Sequence, residues 1–236
     1  MTRTAIIAAM PAELKPLTRG WQRTRPNNVD LWRSDDGEWI AACAGAGVAA
    51  ATRAFAEVEK SGPIDKVISV GWAGALREEL VSGQAYDVST VIDARTGERF
   101  VTAIPLNDCW LVTSPKVADA VEKQRLASTY ESSLVDMEAA AIARLAKMRG
   151  IPFFCIKGIS DGYCDKLPDF NRFISHDGQF QLARFIFFVL FRPMHWPALV
   201  RMGENSRKAA RAIAASVHDL LDERGQPNKL NGNPNQ

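Results

Sequence analysis

Short, wholly apolar runs alternate along this chain with longer stretches of helical period, the pattern of strands buried in a sheet and helices laid over it. Thr4 to Ala9 is the first such run, and Met10-Pro11-Ala12-Glu13-Leu14-Lys15 turns out of it into a helix, with Pro11 suited to a first helical turn. Leu31 to Ser34 and Glu38 to Cys43 read as a hairpin around Asp35-Asp36-Gly37. A glycine-rich stretch, Ala44 to Ala51, enters the next helix, and Val67 to Val70 forms a second buried strand, followed by Gly71-Trp72-Ala73-Gly74-Ala75-Leu76. Further on, Ala139 to Met148 is rich in helix formers, with Ile142, Leu145 and Met148 on one face and Arg144 and Lys147 on another. Gly150 and Pro152 stop that helix. Phe153 to Ile156 is then a strand covered on both faces, and the turn Gly158 to Asp161 sits at its carboxyl end, the edge where open α/β sheets bind ligands. Asn205 to Leu221 closes the chain as a helix with Ala209, Ile213, Val217 and Leu220 on one side. The pattern predicts an α/β fold: a single domain over residues 1–222 with a mixed central sheet flanked by helices. The tail 223–236, rich in Asn, Pro and Gly, is predicted to be disordered.

Composition adds exclusions. In 236 residues, 47% hydrophobic and 24% charged, there is apolar material for one sizeable core, and a net charge of +2 without a basic block argues against a nucleic-acid partner. Cys43, Cys109, Cys155 and Cys164 are scattered, which fits a reduced, cytoplasmic protein. The apolar run at the N-terminus is too short for a signal-peptide core. His176, His195 and His218 lack ligand spacing, so no metal is expected.

The candidate chemistry lies in carboxylates at element ends. Asp136 and Glu138 flank the entrance of the helix from Ala139, and Glu13 stands where the first strand becomes a helix; each has a bland explanation in the helix dipole. Asp161-Gly162 has a similar alternative as turn chemistry. Ala44-Gly45-Ala46-Gly47 superficially suggests a dinucleotide fingerprint. Its third glycine is missing, and Val67 to Val70 is followed by Gly71-Trp72 rather than an acid for a ribose hydroxyl.

Val135-Asp136-Met137-Glu138-Ala139-Ala140-Ala141, with Ile159-Ser160-Asp161 after the next strand, resembles the paired motif of the purine nucleoside phosphorylase and methylthioadenosine/S-adenosylhomocysteine nucleosidase family. Met10-x-x-Glu13 is similar to the turn after that family's first strand. The resemblance implies a nucleoside phosphorylase-like fold and cleavage of an N-glycosidic bond. It implies Glu13 as activator of water and Asp161 as acid toward the base, with Ser160 orienting it. Glu138 would accept the ribose hydroxyls, and Met137 would pack on the sugar. Trp72 and Gly74 fall in the segment resembling the family's Gly-Ser-Ala-Gly-Gly-Leu. Phosphorylases of the family hold phosphate there with a serine and an arginine three residues earlier; Trp72 and Ser69 occupy those places, which favours water as nucleophile. From Ala94 to Leu134 the family pattern is not matched, so adenine as the base rests on Asp161 alone.

The implied activity is hydrolysis of a 5'-substituted purine nucleoside, without cofactor. A phosphorylase using inorganic phosphate and a silent nucleoside-binding protein stay open beside it. A fourth alternative comes from Phe180 to Phe191, intensely apolar and followed by Arg192-Pro193-Met194-His195-Trp196-Pro197. That run is too short to cross a bilayer, which takes about 20 residues. It suits a core or dimer-interface helix, or a segment lying on the inner face of the membrane over Phe180 to Leu199. It also resembles the hopanoid-associated branch of the same family, implying adenine release from an adenosylated lipid. A homodimer or higher homo-oligomer is expected by the same resemblance.

Overall fold

The computed structural model describes residues 3–104, 107–165, 168–175 and 178–225. In chain order the elements are β1 (Thr4–Ala8), α1 (Pro11–Leu14), β2 (Gln22–Thr24), β3 (Asp30–Arg33), β4 (Trp39–Cys43), α2 (Val48–Lys60), β5 (Lys66–Ala75), β6 (Ala85–Asp87), β7 (Thr90–Asp93), β8 (Arg99–Val101), β9 (Trp110–Thr113), α3 (Ala120–Tyr130), β10 (Leu134–Asp136), α4 (Ala139–Arg149), β11 (Phe153–Asp161), α5 (Leu182–Leu190) and α6 (Trp196–Gly225). The strands form one mixed sheet in the order β2-β3-β4-β1-β5-β10-β9-β7-β8, with β11 attached to β5 and β6. β5 is the hub: it runs parallel to β1 and β11 and meets β10 antiparallel at Gly74 and Ala75.

Alternation on the central strands explains why they read as continuous apolar runs. Ala5 and Ile7 of β1, Val67 of β5, and Phe153 and Cys155 of β11 pack with α2 and α4 on one face. Ile6, Ala8, Ile68, Val70, Phe154 and Ile156 pack on the other against α1 and α6. With both faces covered, both parities of a strand are mostly apolar. The expected hairpin is β3 with β4, antiparallel, and Asp36 accepts the Glu38 N–H at 2.9 Å within its turn.

Three expectations need correction. On α4 the buried face is Ala139, Ile142, Ala143 and Ala146, whereas Met148 is exposed. Steps of three residues along a helix drift by about 60° each, so Ile142, Leu145 and Met148 leave a common face, while Ile142 and Ala146 keep it. The segment 158–161, expected as a turn, is strand, and β5 runs on through 71–75 past its expected end at Val70: β5 and β11 stay paired from Val67 and Phe153 to Gly74 and Asp161. Glycines with small neighbours suggested turns, but here they let two backbones and several side chains approach closely. α6 begins at Trp196, nine residues before the expected start, and runs to Gly225, past the residue 222 boundary. Its predicted face holds, with Ala209, Ile213 and Val217 buried. The remainder of the predicted disordered tail, 226–236, lies outside the described residues, as does His176.

Candidate functional site

Two groups of carboxylates gather at the carboxyl ends of the parallel strands, both anchored on β5. The first begins with Glu13. α1 is a single turn, and the Glu13 side chain folds back so that Oε2 accepts the N–H of Ala9 at 2.9 Å and of Met10 at 2.7 Å. This is the helix-entry role the sequence allowed. Oε1 goes further and accepts the Trp72 N–H on β5 at 2.8 Å. The approach depends on Gly71, whose φ is +141° and where a Cβ would lie 2.9 Å from Glu13 Oε1. A carboxylate offers about four lone-pair positions. Three are taken by amides, leaving one on Oε1. Burial pushes the Glu13 carboxyl above its ordinary range, against the pull of the Trp72, Met10 and Ala9 amides and of Lys157.

Asp136 and Glu138, one residue apart at the start of α4, have separate tasks. Asp136 is the cap: Oδ2 accepts the Ala139 N–H at 2.9 Å, and Oδ1 accepts Thr113 Oγ1–H at 2.7 Å. Lys157, reaching from β11 and 1% exposed, pairs with Asp136 Oδ2 at 2.9 Å. Glu138 does not cap its own helix. Its Oε1 accepts the Gly47 N–H at 2.6 Å at the entrance of α2, while Oε2 is held by the Met137 N–H at 3.3 Å. Two lone pairs of Glu138 thus remain free. Burial, reinforced by Asp136 and offset in part by Lys157 and the Gly47 amide, pushes its carboxyl up to about 8. Burial alone would pull the Lys157 ammonium down, but Asp136 and Glu138 outweigh it and hold it above the usual lysine range. Three carboxylates thus share one buried ammonium.

The second group stands at the end of β11. Pairing with β5 passes from Ile159 opposite Ala73 to Asp161 opposite Gly74, so Ser160 is an extra residue. Such a bulge re-aims the side chains beside it. Ser160 Oγ–H donates to Asp161 Oδ1 at 2.6 Å, and Asp161 Oδ2 pairs with Lys123 of α3. The expected Asx-type alternative falls instead to Asp165, whose Oδ2 accepts the Gly162 N–H at 2.7 Å. Gly74 makes room: a Cβ there would come within 3.1 Å of both Asp161 Oδ2 and Lys123 Cε. Gly74→Val is expected to lower stability by about 1–3 kcal/mol through overpacking. A denaturation midpoint equal to wild type would show that the pair has slack.

Of the predicted residues, Glu13 and Glu138 come to one charged cluster around Lys157, with Met137 half-buried beside it. Asp161, Ser160 and Gly74 make the other. Trp72 touches the first through its backbone only; its indole N–H donates to Ser206 O of α6 at 3.0 Å, which docks that helix on β5. Sequence reasoning missed Lys123 and the Gly47 amide. The Gly47 turn was legible as a glycine-rich helix entrance, but nothing local tied it to a glutamate 91 residues away.

Residues 109–185 match the family model described as the phosphorylase superfamily. The match spans about a third of the chain. The match ends at Phe185 and takes in Asp136, Glu138 and Asp161, while Glu13 and the β1–β5 half lie outside it. Solved structures cover nearly all of the chain. The 5'-methylthioadenosine nucleosidase of Arabidopsis thaliana superposes with TM-score 0.72 at 17% identity, over 97% of this chain and 98% of its own. The 5'-methylthioadenosine/S-adenosylhomocysteine nucleosidase of Helicobacter pylori gives 0.70 at 17%, over 94% and 99%. Futalosine hydrolase from the same organism gives 0.70 at 16%, over 94% and 98%. A search of curated proteins gave no match. The fold shared with these structures, a mixed sheet flanked by helices, is the architecture predicted.

A separate feature adjoins the carboxylates. The loop before α5 is tied to the Gly47 turn by Ala46 N–H to Gly178 O at 2.7 Å and by Gln179 Nε2–H to Ala44 O at 2.7 Å. Beyond it an apolar cleft of about 530 Å³ is lined by Phe173, Phe187, Phe188, Phe191, Arg184 and Arg192. Phe187 and Phe191 are 68% and 67% exposed, which overturns the core-helix explanation for this segment within a single chain. Among the described residues no helix is long and apolar enough to cross a membrane.

Proposed function

We propose that this chain hydrolyses the N-glycosidic bond of a purine nucleoside, adenine-bearing and substituted at the 5' position. Breaking that bond builds positive charge on the ribose, negative charge on the departing base, and an opening for a nucleophile on the opposite face. The observation that carries the proposal is the distribution of carboxylates along β5, with Glu13 at Gly71 and Trp72 and Asp161 at Gly74. Gly74 is three residue steps beyond Gly71 along the strand, a rise of about 10 Å between the two backbone positions. Inverting glycosidases place their two carboxyl groups roughly 6.5–9.5 Å apart, with room for sugar and water between them.

In this scheme the free lone pair on Glu13 Oε1 takes a proton from water, and the two free lone pairs of Glu138 receive the ribose hydroxyls. Once Glu138 is ionised, the carboxylates around Lys157 outnumber it and supply a negative field to a ribosyl cation. Asp161 faces the base. Water is favoured over phosphate on three grounds. Ser69 is fully buried inside β5, the Trp72 indole N–H is spent on Ser206, and Lys157 is committed to Asp136. No cofactor enters these steps. The nucleosidases among the structural neighbours support the same reaction class.

The apolar cleft favours a second reading within this class, in which the 5'-substituent is a lipid. Its Phe and Arg lining suits an apolar chain beneath an anionic headgroup layer, with the protein resting on the inner face of a membrane. One experiment separates the readings. Adenosine, inosine, methylthioadenosine and S-adenosylhomocysteine are incubated with the protein, with and without phosphate, and the products are separated by chromatography; binding to anionic vesicles is measured in parallel by co-sedimentation. Free base and free sugar without phosphate are expected. A sugar 1-phosphate formed only with phosphate would establish a phosphorylase. Thermal stabilisation by the nucleosides without product would establish a silent binder. No release from these four together with vesicle binding would favour the lipid-linked substrate. A homodimer, expected by resemblance, is checked by light scattering on the same preparation.

A further inference from the structure

Lys123 belongs to no motif in the sequence, yet it is 2% exposed. Its backbone lies on α3, whose outer side is solvent, with Val121 76% exposed two residues earlier. The side chain runs inward to the β5–β11 seam, where Nζ donates to Asp161 Oδ2 and, at 2.7 Å, to Gly162 O. Taking an ammonium out of water costs several kcal/mol, and an ion pair recovers that only with good geometry, so two apolar residues in place of the pair would hold the fold as well. A structural counter-ion is the bland account.

The hydrogen bonds on Asp161 speak for more. Each of its oxygens accepts from a donor, Oδ1 from Ser160 and Oδ2 from Lys123. The Ser160 hydroxyl also reaches Ala73 O at 3.3 Å and can serve either protonation state of Oδ1, whereas the Lys123 ammonium offers donors only, so the buried ion pair at Oδ2 is the arrangement of a carboxylate. A departing purine nevertheless needs a proton. On the nucleosidase reading above, on which this rests, the geometry points to the Lys123–Asp161 pair as the acid of the site, with Lys123 as the positioning residue that stores the proton and Asp161 as the group that hands it to the base. As the C–N bond breaks, its electron pair leaves with the base, a base nitrogen takes the proton through Asp161 Oδ2, and Lys123 becomes a neutral amine. The water oxygen bonds the anomeric carbon and leaves its proton on Glu13. That proton returns through solvent to Lys123, and the net consumption is one water.

Among the described residues, Asp161 is faced by Ser160 on β11, Gly74 on β5 and Lys123 on α3, and Asp165, bonded to Gly162 N–H, is the next ionisable group in the loop.

The test compares wild type with Lys123→Met and Lys123→Arg, measuring kcat between pH 5 and 9 on whichever nucleoside the wild type turns over. At pH 8, Lys123→Met is expected to lose about 100-fold or more, and the wild-type to variant ratio should shrink toward pH 5, where protons from solvent replace the one Lys123 stores. Arginine keeps the charge and the ion pair but does not release a proton in this range. Lys123→Arg should therefore share the alkaline defect. Full activity in Lys123→Arg, or a Lys123→Met ratio independent of pH, would overturn the proposal and leave Lys123 a structural counter-ion. A wild-type protein that releases no base from any of these nucleosides would overturn the nucleosidase reading and this inference together.

Discussion

Glu13→Gln is expected to lower hydrolytic base release by about 10²–10⁴-fold while leaving the chain folded, since a positioned general base contributes roughly that factor. The substitution is close to isosteric and removes the charge. Its effect on stability is a balance of two terms. Burial holds the Glu13 carboxyl above its ordinary range, so losing the ionised form relieves desolvation. Against this, three amide N–H groups point at the two carboxylate oxygens, two at Oε2 and one at Oε1. Glutamine offers one carbonyl oxygen, and its NH₂ must then face an N–H, which costs about 1–3 kcal/mol for a donor left without an acceptor. The better rotamer puts the oxygen toward Ala9 and Met10 and the NH₂ toward Trp72. A modest fall in unfolding midpoint with a large fall in kcat and little change in KM is therefore expected from steady-state kinetics beside thermal unfolding. Hydrolysis at the wild-type rate would remove Glu13 from the reaction and return it to the helix-entry role. Phosphate-dependent turnover that survives the substitution would point to phosphorolysis.

What was legible in the sequence follows from how local each signal is. Strands buried on both faces announce themselves as uninterrupted apolar runs, and β1, β5 and β11 were placed on that basis. The limits of β5 and β11 were not, because Gly71, Gly74 and Gly158 look like turn residues when their partners are unknown. A Cβ at Gly158 would lie 2.8 Å from Ala209 Cβ, so the glycine there marks the contact of β11 with α6, a contact 51 residues away in sequence. Asp136 and Glu138 had the same explanation on paper. Only the tertiary fold separates them, by bringing Thr113 and Lys157 to one and the Gly47 amide to the other. Lys123 was invisible for the same reason: α3 is weakly amphipathic, and a lysine on such a helix is ordinarily solvated. The aromatic run at α5 was conspicuous in composition, but its exposure depends on what fails to cover it.

Glu138→Gln is expected to remove most of the pH dependence of stability that the charged cluster imposes, and at the same time to impair nucleoside turnover. The folded carboxyl is pushed up to about 8, above its unfolded range near 4.5. Between those values the folded chain binds a proton that the unfolded chain has released, so the unfolding free energy falls as pH rises through the window. The loss is complete above pH 8 and absent below the unfolded value. Its size is on the order of 2–4 kcal/mol for a buried carboxyl raised by several units and coupled to Asp136 and Lys157. Glutamine cannot ionise, and its carbonyl oxygen still accepts the Gly47 N–H. Near pH 5 the variant should therefore unfold at about the wild-type temperature, and at pH 9 several degrees above it, with a residual slope from Glu13 common to both. Catalysis should move the other way. The ionised Glu138 is the form that accepts two ribose hydroxyls and opposes the growing positive charge, so wild-type activity should rise as pH approaches 8, while the variant falls by about 10²-fold or more without that rise. Parallel thermal-unfolding curves for the two proteins from pH 5 to 9 would show that Glu138 keeps the same protonation state in the folded and unfolded chain. The opposite signs have one physical origin: a carboxylate kept dry costs stability in proportion to the field it can offer a cationic sugar.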